Sequence, residues 1–272
     1  MATFSPTPDL EMFYEVDDFT DPWKTPETIL LMHGNAESTK AWYAWIPHLA
    51  RKYRVIRADM RGFGQSTPMA QDYPWSVERI VQDFRDLATH LGVSRMHVVG
   101  AKVGGTLAFK FAAKHPDLVA TLTTLGAPVS GNDAIGARVP SWLDHIARNG
   151  MESWARWTMP GRMGDAFGPA ASAYWAQLMG RTPVTTQLGF IASVPSVDVT
   201  ADLASLKCPV LVINAANSNM GDAASVEAWR RLIPDSKLLL LPGSSYHVAA
   251  SDPDTCAAAV LAFIQEHRRV PS

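Results

Sequence analysis

The sequence predicts an α/β protein: a mostly parallel sheet with helices on both faces and an inserted helical segment lying over one edge. Two observations carry this expectation. Short apolar runs alternate with segments of helical periodicity along most of the chain, the pattern that builds parallel strands joined by crossover helices. Between about Pro128 and Val199 the alternation stops, tryptophan and proline accumulate, and afterwards it resumes. The core is therefore expected in residues 1–128 and 200–272, and a helical cap in residues 129–199.

The elements follow in chain order. Leu10–Phe19 reads as an opening strand or hairpin arm. Thr28–Met32 is a continuous apolar run, as suits a strand buried on both faces. Trp42–Lys52 reads as a helix and Tyr53–Arg57 as the next strand. Ser76–Leu91 places Ile80, Phe84, Leu87 and Leu91 on one helix face. Met96–Val99 (strand), Val103–Lys114 (helix) and Ala120–Leu125 (strand) follow. The cap's helical pieces are punctuated by Pro140, Pro160, Gly161, Pro169 and Pro183. Pro209–Ile213, Ser225–Ile233, Lys237–Leu241 and Pro253–His267 then read as strand, helix, strand and helix.

Composition bounds the function. With 272 residues, 47% hydrophobic and 18% charged, the chain can bury a core and is too apolar for disorder. A formal charge of −2 gives no reason to expect a nucleic-acid partner, and Arg51, Lys52 and Arg54 read as a solvated face. Cys208 and Cys256 lie in apolar contexts, which suits packing and a reducing compartment. No run approaches the roughly twenty apolar residues of a membrane span. The expectation is a cytoplasmic enzyme acting on a small molecule, without membrane partner, cofactor or metal; the oligomeric state is left open.

Four local patterns carry chemistry. His33-Gly34-Asn35 follows a buried strand, and Asp59-Met-Arg-Gly-Phe-Gly-Gln-Ser66 follows another. Gly100-Ala-Lys-Val-Gly-Gly105 joins a strand to a helix, and His247 follows a late strand. Small residues are needed at such a strand-to-helix turn because the two elements nearly touch there. Gly100, Gly104 and Gly105 therefore frame Lys102 as the raised residue; the plainer alternative is a tight turn without catalytic purpose.

In this order and context the motifs resemble the α/β-hydrolase family, and within it the 3-oxoadipate enol-lactonase-like group. The resemblance covers almost the whole chain, the cap being matched only in kind. It implies an α/β-hydrolase fold with Lys102 where the nucleophilic serine usually stands, His247 as the catalytic histidine, and an oxyanion hole from the backbone N–H groups of Asn35 and Val103. It further implies supporting roles for His33, Asp59 and Ser66.

The acid of such a site would normally follow Pro209–Ile213 or Ala120–Leu125, and neither place offers a carboxylate. Asn217, Ser218 and Asn219 are left as candidates to orient His247, with Asp222 slightly later. Ser38, Thr106 and Ser130 are not on an elbow. Because a carboxylate raises a lysine pKa and burial lowers it, losing the acid would keep Lys102 and His247 closer to neutral.

Three functions remain open. Lys102 as a neutral amine adds to a carbonyl or serves as a base, giving hydrolysis or lyase-type cleavage. Lys102 as an ammonium binds an anionic substrate while His247 moves protons, with Arg148, Arg156, Arg162 and Arg181 as further candidates for a carboxylate. Or the chain binds a ligand without turnover. Trp142, Trp154, Trp157 and Trp175 are expected to line an aromatic pocket, against the plainer reading that they pack the cap.

Overall fold

The computed structural model describes residues 2–164 and 167–268. Eight strands form one sheet in the order β1-β2-β4-β3-β5-β6-β7-β8. They are β1 (Ala2–Thr7), β2 (Leu10–Asp17), β3 (Thr28–Met32), β4 (Arg54–Ala58), β5 (Met96–Ala101), β6 (Val119–Leu125), β7 (Val210–Ala215) and β8 (Ser236–Leu241). The β1–β2 and β2–β4 pairs are antiparallel and the others parallel. Every residue of β3, β5 and β7 is buried, which is why these strands read as unbroken apolar runs and not as alternating ones.

The helices are α1 (Ile46–Leu49), α2 (Val77–His90), α3 (Val103–Lys114), α4 (Gly131–Ile135), α5 (Val139–Met163), α6 (Pro169–Gly180), α7 (Val184–Ser193), α8 (Ala223–Arg230), α9 (Val248–Ser251) and α10 (Pro253–Glu266). Helices α4 to α7 are the inserted region between β6 and β7. In α2, Ser76 Oγ accepts the Arg79 N–H at 3.2 Å, an N-cap that fixes where the helix begins. Ile80, Phe84 and Leu87 are its buried face.

Prolines account for most differences from the sequence reading. The helix expected over Trp42–Lys52 is a 3-10 turn (Thr39–Trp42) followed by the short α1, which has Pro47 in its first turn; without an N–H, Pro47 can open a helix but not continue one. Strand β1 precedes the first element expected from the sequence and contains Pro6. It lies at the sheet edge, where a missing donor is tolerated, and its register shifts between Phe4 and Thr7. Pro160 and Gly161 do not break the cap: both lie inside α5. The break falls instead at Gly150 (φ 78°), and the helix ends at Gly164 (φ 74°), both in the left-handed region that glycine enters without cost.

The turn between β5 and α3 is tightly packed against backbone. A Cβ on Gly100 would lie 2.4 Å from the Gly104 carbonyl oxygen, and one on Gly104 would lie 2.3 Å from the Met32 carbonyl oxygen. Both obstacles are backbone, so neither can step aside. Gly100→Ala should therefore lower stability by about 2 kcal/mol or more, measured by urea unfolding against wild type; an unchanged midpoint would show that strand and helix can separate there.

Candidate active site

Lys102 stands between β5 and α3 with φ 53° and ψ −124°, a strained conformation for a residue with a Cβ. Its backbone N–H donates to the Leu125 carbonyl at 2.8 Å, and its carbonyl accepts the Gly105 N–H at 2.9 Å. The side chain is buried, 4% exposed. It lies over Gly34, where an added Cβ would come within 2.2 Å of Lys102 Cε.

The ammonium meets a carboxylate that the sequence reading did not consider. Lys102 Nζ donates to Glu37 Oε1. The same oxygen is 2.8 Å from His247 Nε2, although the ring N–H direction is not aligned for a hydrogen bond. Glu37 Oε2 accepts the Gly34 N–H at 3.0 Å, and Glu37 is itself 2% exposed. Its approach depends on Ala36, whose φ is 58°. Among the described residues Ala36 and Lys102 are the only non-glycine positions with positive φ, and they flank this one contact.

His247 is held from outside its ring. Its N–H donates to the Arg162 carbonyl and to Ser245 Oγ, both at 3.1 Å, and Ser245 Oγ–H donates to the same carbonyl at 2.8 Å. Trp175 packs edge-on against the imidazole at 5.0 Å. Nδ1 has no hydrogen-bond partner among the described residues. Asn217, Ser218 and Asn219 thus do not orient His247. Asn217 N–H donates to the Gly243 carbonyl, Ser218 Oγ accepts the Met220 N–H, and the Asn219 carbonyl accepts from Arg138. Asp222 caps α8 by accepting the Ser225 N–H at 2.9 Å. The carboxylate comes from the loop after β3 instead, so the inference that the site lacks one is corrected.

Electrostatics follow from burial and these contacts. Burial lowers the Lys102 pKa to about 8, Glu37 opposing and Arg162 assisting. Burial likewise pushes His247 down to about 4, against the pull of Glu37 and with Lys102 adding to the shift. Burial alone would raise Glu37, but the charges of His247 and Lys102 outweigh it and hold the carboxyl below the usual range. At neutral pH the resting set is an ammonium, a carboxylate and a neutral imidazole.

The supporting residues are locally explained. His33 Nε2 accepts the Met60 N–H at 2.9 Å while Nδ1 is 2.7 Å from the Gly34 carbonyl, which fixes the neutral Nδ1–H tautomer. Asp59 accepts the N–H groups of Thr39 (2.5 Å) and Gln65 (2.8 Å). Ser66 Oγ–H donates to the Asp59 carbonyl at 2.7 Å. All three organise turns.

Lys102, Asn35, Val103, Trp142, Arg162 and Tyr246 line a cavity of about 50 Å³. The backbone N–H groups of Asn35 and Val103 make no hydrogen bond among the described residues. Of the four cap tryptophans only Trp142 lines this cavity. Trp154 is fully buried beneath Arg162, and Trp175 packs on His247. Trp157 is 51% exposed and stacks on His145 at 4.7 Å, so its expected place in the pocket is corrected. A larger cavity of about 240 Å³ lies beyond Val103, but its cation, Lys110, is held by Asp202 at 3.1 Å. Among the described residues no group of three His, Cys, Asp or Glu is placed to hold a metal, and no helix is long and apolar enough to cross a membrane.

The family description "alpha/beta hydrolase fold" matches residues 27–253. The chain belongs to the α/β-hydrolase family. Among curated proteins it is similar to an epoxide hydrolase 3 from Xenopus tropicalis, 39% identical over 103 residues that make up 37% of this chain and 27% of the relative. It is also similar to a soluble epoxide hydrolase from Corynebacterium sp. (strain C12), 34% identical over 135 residues, 47% of this chain and 45% of the relative. The matched segments thus span less than half the length of these relatives. The crystal structure of the enol-lactonase from Burkholderia xenovorans LB400 superposes with a TM-score of 0.87 at 19% identity, covering 96% of this chain and 99% of that one. This likeness bears out the α/β-hydrolase fold with its inserted helical region.

The titrations have a consequence for stability. Between about pH 4 and 6.5 the unfolded chain takes up a proton at His247 that the folded chain refuses. Folded stability should therefore rise with pH across that window. Glu37, held below its ordinary value of 4.5, loses its contribution as the pH falls through its folded-state pKa, so it acts in the same direction at the acid end. Urea unfolding at stepped pH should show a steeper rise for wild type than for His247→Gln; equal slopes would mean that the folded imidazole titrates normally.

Proposed function

We propose that this chain is an enzyme of small carbonyl compounds in which the Lys102 amine forms a covalent imine with its substrate. The observation that carries the reading is the three-group contact: a buried lysine raised on the elbow, touching a carboxylate oxygen that also lies 2.8 Å from His247. With a pKa near 8, roughly a tenth of the amine is neutral at pH 7, whereas an exposed lysine would be neutral in only about one molecule in a few thousand.

The neutral Nζ lone pair bonds to the carbonyl carbon as the C–O π pair moves onto oxygen, whose charge the N–H groups of Asn35 and Val103, which line the cavity, would stabilise. Glu37 Oε1 relays two protons in turn from Nζ to that oxygen, which leaves as water as the C–O bond breaks and the nitrogen lone pair forms the C=N bond. Overall, the ammonium and the carbonyl give a protonated imine and one water. A bond to the carbon beside the imine carbon can then break, its electron pair passing to the imine nitrogen as an enamine while the cleaved group departs as carbon dioxide or a carbonyl compound. A proton delivered to the enamine carbon restores the protonated imine, and one water hydrolyses it to the carbonyl product and the Lys102 ammonium. His247, neutral and beside Glu37, is the second proton carrier. Of the tryptophans first expected to make the pocket aromatic only Trp142 lines it, with Tyr246 as a second ring.

A second reading, ligand binding without turnover, is favoured by one observation: the resting ammonium is already engaged by Glu37 in a small cavity. Its signature is saturable binding with the ligand recovered unchanged.

Borohydride reduction in the presence of a panel of aldehydes, ketones and oxo acids should leave a stable adduct on Lys102, seen by peptide mass spectrometry. Lys102→Arg, which stays protonated, should abolish both the adduct and any turnover by about a thousandfold or more. An arginine variant that keeps most of the turnover, or a panel with no adduct on Lys102, would sink the imine reading.

A further inference from the structure

The four arginines considered for the cap have different fates. Arg148 pairs with Asp144 at 2.8 Å and Arg156 with Glu152 at 2.5 Å, both at the surface, and Arg181 is exposed. Arg162 is 2% exposed and lines the cavity that holds Lys102. Its Nε donates to Thr158 Oγ1 at 3.1 Å. Its guanidinium carbon lies 4.7 Å from the Trp154 ring and 5.6 Å from the Tyr246 ring. Nη2 is buried without a hydrogen-bond partner, and among the described residues no carboxylate pairs with the side chain.

A buried guanidinium without a counter-charge is costly. Among the described residues around this cavity the Lys102 ammonium is balanced by Glu37 and His247 is neutral, so one positive charge, that of Arg162, is left over. Its plane is fixed by two rings and a threonine hydroxyl, and the unused donor belongs to a fork whose geometry suits the two oxygens of a carboxylate. Ile135, Ile191 and Val194 add apolar walls.

We propose that Arg162 binds the carboxylate of a small monoanionic ligand in this cavity, so that the substrates of the Lys102 site are oxo acids: compounds with a carbonyl for Lys102 and a carboxylate for Arg162. The oxo part rests on the imine reading above; the carboxylate part does not.

The test uses ligands that form no imine with Lys102. Acetate is compared with acetamide, and benzoate with benzamide, by calorimetric titration of the full chain. The carboxylates should bind about tenfold or more tighter than the amides of the same shape. Arg162→Met should erase that preference and Arg162→Lys should keep part of it, while Arg231→Met, at the exposed surface, should leave it intact. In wild type, the Arg162 Nε–H resonance should shift saturably with acetate, a readout that survives if Arg162→Met does not fold. Amides binding as well as carboxylates, no binding of either carboxylate, a preference kept in Arg162→Met, or an unmoved Arg162 resonance would each overturn the proposal. If the carboxylate preference holds but borohydride traps nothing, the imine reading fails and the anion site stands.

Discussion

A carboxylate buried between an ammonium and an imidazole is the contact on which the rest of this site depends. Glu37 Oε1 faces both Lys102 Nζ and His247 Nε2. Without Glu37, the lysine charge would be buried with no partner, next to Arg162. Removing one member of a buried ion pair typically costs about 3–5 kcal/mol, because the remaining charge is stranded. The pair therefore sets the protonation of the whole cluster: burial pulls the lysine and the histidine toward neutrality, and Glu37 limits how far each goes.

The fold delivers these groups from distant parts of the chain. Glu37 and Lys102 are separated by 65 residues and meet because β3 and β5 are hydrogen-bonded neighbours whose carboxyl ends lie side by side. His247 arrives after β8 and is tied by its backbone to Arg162 of α5. The cap and the histidine loop thus share one backbone junction, and the arginine at that junction turns its side chain into the cavity. Among the described residues, positive φ outside glycine occurs only at the two positions that aim the ion pair, Ala36 and Lys102, as expected where surrounding structure over-determines a local geometry.

The fold was largely legible because its signals are local. Parallel strands buried on both faces leave apolar runs, and the close approach of β5 and α3 leaves Gly100, Gly104 and Gly105. The same glycines marked Lys102. Glu37 was not legible, since nothing about a glutamate four residues after His33 says that a left-handed Ala36 turns it inward. The ends of β6 and β7, where the resemblance places an acid, hold Gly126-Ala127-Pro128 and Asn214–Asn219 here. The exposure of Trp157 is not legible for a related reason: helix α5 has a solvent face as well as a cavity face, and composition alone does not say which tryptophan lies on which. Arg162 could be set apart from its three neighbours only by burial.

The protonation of Lys102 tests the account most directly. Its Cε chemical shift, followed by carbon NMR against pH in wild type and in Glu37→Gln, reports that equilibrium at the atom concerned. The account predicts a midpoint near 8 in wild type, moving lower in Glu37→Gln because the glutamine removes the charge that favours the ammonium. A wild-type midpoint near the ordinary 10.5, unmoved by the substitution, would contradict both the burial of the amine and its pairing with Glu37.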